Sequence, residues 1–336
     1  MHKTTNTSKT KTLRICVFGC GGIAQAYLEA MQRVSNVQLV SVVEPDNDRA
    51  QQAAEPGTKV FANIDDLFDA GPLDFDAALV LTPPNTHEPL AIRLLEAGIH
   101  VLCEKPLTTS VGSARRMLQA AKTANRQLMM GSKFRFTPDM ARAKELIDAG
   151  TIGEVTLFEN QFCAKVDMSK RWNSIQSIAG GGVLVDNGSH SIDIARYLLG
   201  PISRVQAQFG KPIQKLEVED TVRISFESQS GAMGSIDLSW SLHKEVPSYV
   251  RLYGSLGTLE IGWKISRYKL QGNNEWVNFG EGYDKIGAFR AQIENFANSI
   301  AGSEEPIITE ADAIASVKVI EEAYRSAHEQ KWHELI

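Results

Sequence analysis

No stretch of this sequence stays apolar for anything near the roughly 20 residues that a helix needs to cross a bilayer, so a helical membrane protein is not expected. Cysteine is scarce, with four in 336 residues. Cys16, Cys20, Cys103 and Cys163 form no CxxC pair, which argues against a disulfide framework or a zinc site and leaves core packing as the simplest reading. A basic excess is missing too. Lys and Arg number 35 against 40 Asp and Glu, a net charge of -5, so nothing points to nucleic acid or to a membrane surface as partner. Met1 to Thr12 lacks the apolar core of a signal peptide and the arginines of a transit peptide; a disordered tail on a cytoplasmic protein is expected. What remains is a globular composition, 43% hydrophobic and 22% charged, with the length of two domains.

Short apolar runs alternate with helical patterns over the first 130 residues or so. Strands are predicted at Leu13 to Phe18, Val37 to Val43, near Val60, Ala77 to Leu81, Val101 to Glu104 and Gln127 to Met130. Helices are predicted at Ile23 to Arg33, Pro89 to Ala97 and Ser113 to Ala124. That alternation predicts a parallel, doubly wound sheet. After Gly131 the pattern changes. Helices are expected at Ala141 to Ala149 and from the Gly180-Gly181-Gly182 run to Leu199. Val155 to Phe162 reads as a strand, and so do alternating segments around Val205, Val222 and Ile236, with a turn at Gly272-Asn273-Asn274. Helices at Phe289 to Ile300 and Glu310 to Ala327 close the chain. Strands that follow one another without helices predict an antiparallel sheet. The expected architecture is therefore an α/β Rossmann domain over residues 13–131, then an α+β domain over 132–336 with an open, mainly antiparallel sheet. The last helix is free to pack back on the first domain.

The first strand runs directly into Gly19-Cys20-Gly21-Gly22-Ile23-Ala24, a GxGxxA pattern. Gly19 suits the tight turn, Gly21 lets backbone approach a pyrophosphate, and the small Ala24 lets helix and sheet pack closely. The helix N-terminus then offers free N–H groups and a positive dipole end to phosphates. Glu44 closes the second strand, 20 residues past Ala24, where an acid can accept bonds from ribose hydroxyls. A dinucleotide cofactor is expected. A carboxylate there repels a 2′-phosphate, so NAD is expected over NADP.

Two further segments carry chemistry. Val101 to Pro106 delivers Glu104, Lys105 and Pro106 at a strand's C-terminal end, which is either a surface turn or the ligand edge of an open α/β sheet. Asp186, His190 and Asp193, spaced i, i+4 and i+7, share one helix face. They are either part of a capped helix with a satisfied histidine or a functional cluster. No neighbouring His or Cys group supports a metal. Gly188 lies mid-helix at a cost of about 1 kcal/mol relative to Ala, as if something approached the backbone there. Lys170-Arg171-Trp172-Asn173 lines a pocket or is a solvated loop.

Together these segments resemble the glucose-fructose oxidoreductase / inositol dehydrogenase (Gfo/Idh/MocA) family over about Leu13 to Trp332. The phosphate loop is similar to the family's cofactor loop, including Gly22 and Ile23. Glu104-Lys105-Pro106 is identical to its EKP motif, and Gly180 through Asp193 resembles its glycine-rich GGG…D…G.H..D segment. Thr82-Pro83-Pro84-Asn85 with His87 is similar to its loop after the fourth strand. Phe134-Arg135-Phe136 and Gly150 to Gly153 also match.

The resemblance implies an NAD(P)-dependent dehydrogenase acting on a CH–OH group of a sugar or cyclitol, in a homodimer or homotetramer formed through the second sheet. It places Lys105, Asp186 and His190 at the catalytic positions. Thr82, Pro83, Asn85, His87 and Glu104 fall on the cofactor side, and Arg135, Arg171, Trp172 and Asn173 near the substrate. On this reading His190 takes a proton, Lys105 stabilises the reacting oxygen, and Asp186 orients the sugar or the histidine. Two other functions are open to such a chain. One is glycoside cleavage through transient oxidation. The other is non-catalytic nucleotide sensing, which retention of all three residues argues against. Trp240, Leu252 and Trp263 are candidates for an apolar outer face on the second sheet.

Overall fold

The computed structural model describes residues 12–335, so residues 1–11 of the expected tail lie outside the described residues. The first part of the chain runs through β1 (Leu13–Phe18), α1 (Gly22–Met31), β2 (Val37–Val43), α2 (Asn47–Ala53), β3 (Lys59–Phe61) and α3 (Ile64–Asp69). It continues with β4 (Ala77–Val80), α4 (His87–Glu96), β5 (His100–Glu104), α5 (Val111–Ala124) and β6 (Leu128–Gly131). These strands form one parallel sheet in the order β3-β2-β1-β4-β5-β6. This is the Rossmann order, whose strand direction of travel reverses between β1 and β4 and leaves a crevice there. Both faces are covered, so Ala77 to Val80 and Val101 to Cys103 are buried without alternation, as their apolar runs require. The short helices α2 and α3 have no counterpart among the expected elements. They bury only Ala50, Ala53 and Leu67, and each starts on an Asx cap. Asp46 accepts from the N–H groups of Asp48 and Arg49, and Asn63 from those of Asp65 and Asp66. Caps rather than periodicity hold such short helices.

The second part adds α6 (Pro138–Asp148), β7 (Val155–Cys163), α7 (Gln176–Ala179), α8 (Val183–Leu199), β8 (Ile202–Phe209), β9 (Thr221–Ser228) and β10 (Met233–Ser239). Then come β11 (Ser248–Gly254), β12 (Gly257–Gly262), β13 (Ser266–Leu270), β14 (Val277–Gly280), α9 (Lys285–Ile300), α10 (Glu310–Glu329) and β15 (His333–Glu334). The nine strands follow the order β14-β13-β12-β11-β7-β10-β9-β8-β15, and only β7 and β10 pair in parallel. One face is apolar: Val205, Val222, Ile224, Phe226, Ile236 and Leu238 are buried.

The opposite face corrects the expectation of an apolar patch. Trp240 and Leu252 are buried in the core, Leu252 opposite Phe158 and Leu259 on the apolar side. A register shift at the start of β11 hides the phase of its alternation from sequence. The outward positions instead carry cross-strand ion pairs, Arg223 with Asp237, Arg204 with Glu227, and Arg251 and Arg267 with Glu260. Leu157 and Met233 are exposed among them.

The C-terminal helices reach back to the first sheet. Phe289, Ile293 and Phe296 of α9 join its core, and the Phe289 ring sits 4.4 Å from that of Tyr27 in α1. Helix α10 gives Ala313 and Val317 to the first core and Val319, Ile320 and Ala323 to the second. Among the described residues no helix is long and apolar enough to span a membrane.

Candidate active site

The C-terminal edge of the first sheet faces the second sheet across a cleft of about 1870 Å³. That exceeds the few hundred to 1,000 Å³ of an ordinary small-ligand pocket. At one end β1 delivers the glycine loop. Gly19 has φ +86°, and a Cβ there would lie 2.9 Å from Thr82 Cγ2, so only glycine fits. A Cβ at Gly21 or Gly22 would meet nothing within 4 Å, because the backbone there is open to the cleft. Helix α1 starts at Gly21 with no side-chain cap, so its first N–H groups and positive dipole end are left for a ligand. Ala24 is fully buried against the sheet.

Glu44 accepts from the Cys20 N–H at 2.7 Å and the Asp46 N–H at 3.1 Å, which pins its carboxylate beside the glycine loop. Glu44 is buried and does not itself line the cleft; Arg49 does, and it pairs with Asp46 at 3.3 Å. Arg14 is spent on Asp74.

Thr82 and Glu104 line the cleft, whereas Pro83 and Asn85 of the same loop do not, and Pro84 does. His87 is a correction. It is buried, and its ring nitrogens lie 3.0 Å from the Pro106 carbonyl oxygen and 2.7 Å from that of Thr82. It therefore ties the β4 loop to the Lys105 turn rather than meeting a ligand. Glu104 is held by Tyr27, whose hydroxyl donates to it at 2.7 Å and accepts from Gln292 at 2.8 Å. A Cβ at Gly131 would strike that same Tyr27 hydroxyl at 2.8 Å.

Lys105 and α8 meet at the centre of the cleft. Lys105 Nζ donates to Asp186 Oδ1 at 2.6 Å and to the Asp186 carbonyl at 3.0 Å. Asp186 thus orients the lysine; among the described residues it makes no bond to His190. His190 sits one turn on, buried, with the Phe134 ring edge-on at 5.1 Å. Its Nδ1 has no hydrogen-bond partner among the described residues. Burial first, then the positive charges of Lys105 and Lys133, hold the imidazole well below its ordinary pKa. It is therefore neutral at pH 7 and able to take a proton.

Asp193 shares the helix face but lies two turns further along, roughly 10 Å from Asp186 at 1.5 Å per residue. There it is fully buried and paired with Arg135, whose Nη2 stands 2.7 Å from Oδ1, and it also accepts from the Ser132 hydroxyl. The placement of Arg135 near the substrate is corrected with it: the guanidinium is 4% exposed, bound to Asp193 and Asp312, and absent from the cleft lining. Gly188 has a packing reason rather than a ligand, since a Cβ would stand 3.0 Å from Leu184 Cδ1 and 3.2 Å from Leu238 Cδ1. Arg171, Trp172 and Asn173 do line the cleft, as does Lys170.

Sequence reasoning missed Lys133, which lines the cleft on the turn after β6. The rule that singled out Lys105, a cation just past the C-terminal end of a Rossmann strand, would have found it. Among the described residues no group of three or more His, Cys, Asp or Glu is placed to hold a metal ion.

Comparison with known proteins agrees with this geometry. Residues 13–132 match the model of an oxidoreductase family with an NAD-binding Rossmann fold, and residues 140–260 match the GFO/IDH/MocA C-terminal domain. The chain belongs to the GFO/IDH/MocA oxidoreductase family. It is 25% identical over 305 residues to inositol 2-dehydrogenase of Leifsonia xyli subsp. xyli, covering 87% of this chain and 86% of that one. Among solved structures it superposes on aldose-aldose oxidoreductase from Caulobacter crescentus, complexed with glycerol. The TM-score is 0.86 at 26% identity, over 97% of this chain and 100% of the other. It also superposes on GenD2 from gentamicin A biosynthesis in complex with NAD, with TM-score 0.85 at 27% identity over 97% of each chain. As a member of this family the protein is an oxidoreductase with an NAD(P)-binding Rossmann fold. The close approach at Gly19, the uncapped start of α1 and the open backbone at Gly21 and Gly22 fit a dinucleotide.

Proposed function

We propose that this oxidoreductase is an NAD-dependent dehydrogenase that oxidises a hydroxyl-bearing carbon of a sugar or cyclitol. The observation that carries the reading is the meeting of the Lys105–Asp186 pair with the buried neutral His190, in the same cleft as the uncapped glycine loop. The polyol class is supported by the inositol- and aldose-directed relatives. Nicotinamide, when bound, supplies the hydride acceptor for the substrate carbon. The chain's own residues do the rest. Lys105, aimed by Asp186, donates to the reacting oxygen and stabilises it as negative charge develops. His190 takes the hydroxyl proton, so one hydride and one proton leave the CH–OH group and a carbonyl forms. Gly21, Gly22, Ile23, Thr82 and Glu104 stand on the cofactor side, and Arg171, Trp172 and Asn173 on the substrate side. The division into residues 13–131 and 132–336 belongs to the same proposal, with α9 and α10 returning to the first part.

NAD is the cofactor favoured by Glu44. Its carboxylate, held rigid by two N–H groups, repels a 2′-phosphate, and the nearby Arg49 is already paired with Asp46. The purified protein should bind NAD about tenfold or more tightly than NADP, a difference of at least about 1.4 kcal/mol. It should also reduce NAD in the presence of some member of a panel of aldoses, sugar acids and inositols. Tighter NADP binding would sink the cofactor preference, and no reduction of either cofactor by any member would sink the function.

Assembly is proposed through the outer face of the nine-stranded sheet, where exposed Leu157 and Met233 sit among ion pairs, a composition suited to a polar interface. Sedimentation at micromolar concentration should report a homodimer or homotetramer; a strict monomer contradicts it.

A further inference from the structure

Among the described residues, Lys133 is a cation at the catalytic centre that no carboxylate pairs with directly. Lys105 is matched by Asp186, and Arg135, in the core behind, by Asp193. The ammonium of Lys133 lies over two aromatic faces, 5.5 Å from the Phe134 centroid and 5.3 Å from that of Phe289. It has no hydrogen bond or ion pair among the described residues. The carboxylates that act on it, Glu104 and Asp186, are already engaged by Tyr27 and by Lys105. A partly buried lysine without a partner is costly and uncommon. Lys170, Arg171, Lys264 and Lys285 line the same cleft without an ion pair among the described residues, with Glu245 as an acidic neighbour in the lining.

Resting on the dehydrogenase reading above, we propose that the substrate is an anionic polyol, a sugar acid or sugar phosphate, whose negative group is bound by Lys133 beside the reacting carbon. An ammonium over aromatic faces and short of water favours an oxyanion far more than a neutral hydroxyl. Burial lowers the Lys133 pKa to about 8, with Lys105 and Lys285 lowering it and Glu104 and Asp186 raising it. The ammonium is therefore charged at pH 7, and anion binding should weaken above pH 8.

The test compares glucose, glucuronate and glucose 6-phosphate for binding to the enzyme–NADH complex by calorimetry, alongside NAD reduction. Either the carboxylate or the phosphate should bind at least about tenfold more tightly than glucose, and the one that does identifies the anionic group. Lys133→Met should weaken that anion at least about tenfold more than it weakens glucose, with NADH affinity reporting that the variant is folded. Equal binding of all three, binding of none at millimolar concentration, or equal losses for anion and glucose in Lys133→Met would each overturn the proposal. Rapid oxidation of neutral sugars with no charge preference sinks this inference and leaves the dehydrogenase reading intact. Charge-selective binding without any turnover sinks that reading and leaves the anion site.

Discussion

Replacing His190 by Ala is expected to lower kcat by about 100-fold or more, the usual scale for removing a general base. NAD affinity should stay within a few-fold, because the glycine loop lies away from His190 on the first sheet's side of the cleft. The imidazole is a neutral proton acceptor beside Lys105, and among the described residues its Nδ1 has no partner that would keep it charged. The pH profile carries the same argument. Burial and the charges of Lys105 and Lys133 disfavour the imidazolium, so the active neutral form persists into acid. The acid limb of kcat/KM should therefore have its midpoint below 6.5, and Lys133→Met, by removing a cation, should move it upward. Lys105→Ala should also lower kcat, since its charge matters most when the oxygen is anionic. Steady-state kinetics across pH on the folded variants decide the matter. Turnover within a few-fold of wild type for His190→Ala, or an acid limb at or above 6.5, would remove His190 from its role.

Legibility in the sequence followed how local each constraint is. The parallel strands were readable because burial on both faces writes an unbroken apolar run, as at Ala77 to Val80, and the glycine loop because three steric demands fall within six residues. Helices α2 and α3 escaped because caps at Asp46 and Asn63 hold them, and a cap is a single residue without a period. Leu252 was placed on the outer face because a register shift at the start of β11 obscures its phase, whereas Trp240 simply continues the inward alternation of Ile236 and Leu238. Within the site, the pairing of Lys105 with Asp186 spans 81 positions, and nothing in either segment announces it. Asp193 was separated from the chemistry by helix rise, which spacing on a face does not reveal, and Arg135, on the turn after β6, is drawn into the core by its pairing with Asp193. Lys133 was hidden beside a better-known motif, one position before Phe134.

Arg135→Met is expected to destabilise the fold by about 3–5 kcal/mol, because it strands the fully buried Asp193 carboxylate with the Ser132 hydroxyl as its remaining partner. The effect should exceed that of an ordinary core truncation for a topological reason. Arg135 also holds Asp312 at 3.1 Å, and so joins the turn after β6 to α8 and to α10, the helix that packs into both cores. Asp312 keeps Arg196 at 3.8 Å and some contact with water, so Asp193 carries most of the loss. Changing both partners, Arg135→Met with Asp193→Leu, should recover much of the stability, since well-packed apolar replacement of a buried pair is often close to neutral. Urea unfolding of the two variants and the wild type measures both terms. Were Arg135 a substrate ligand instead, Arg135→Met would raise KM while unfolding at nearly the wild-type urea concentration. A shift of less than about 1 kcal/mol, within the range of ordinary surface changes, would therefore overturn its assignment to the buried network.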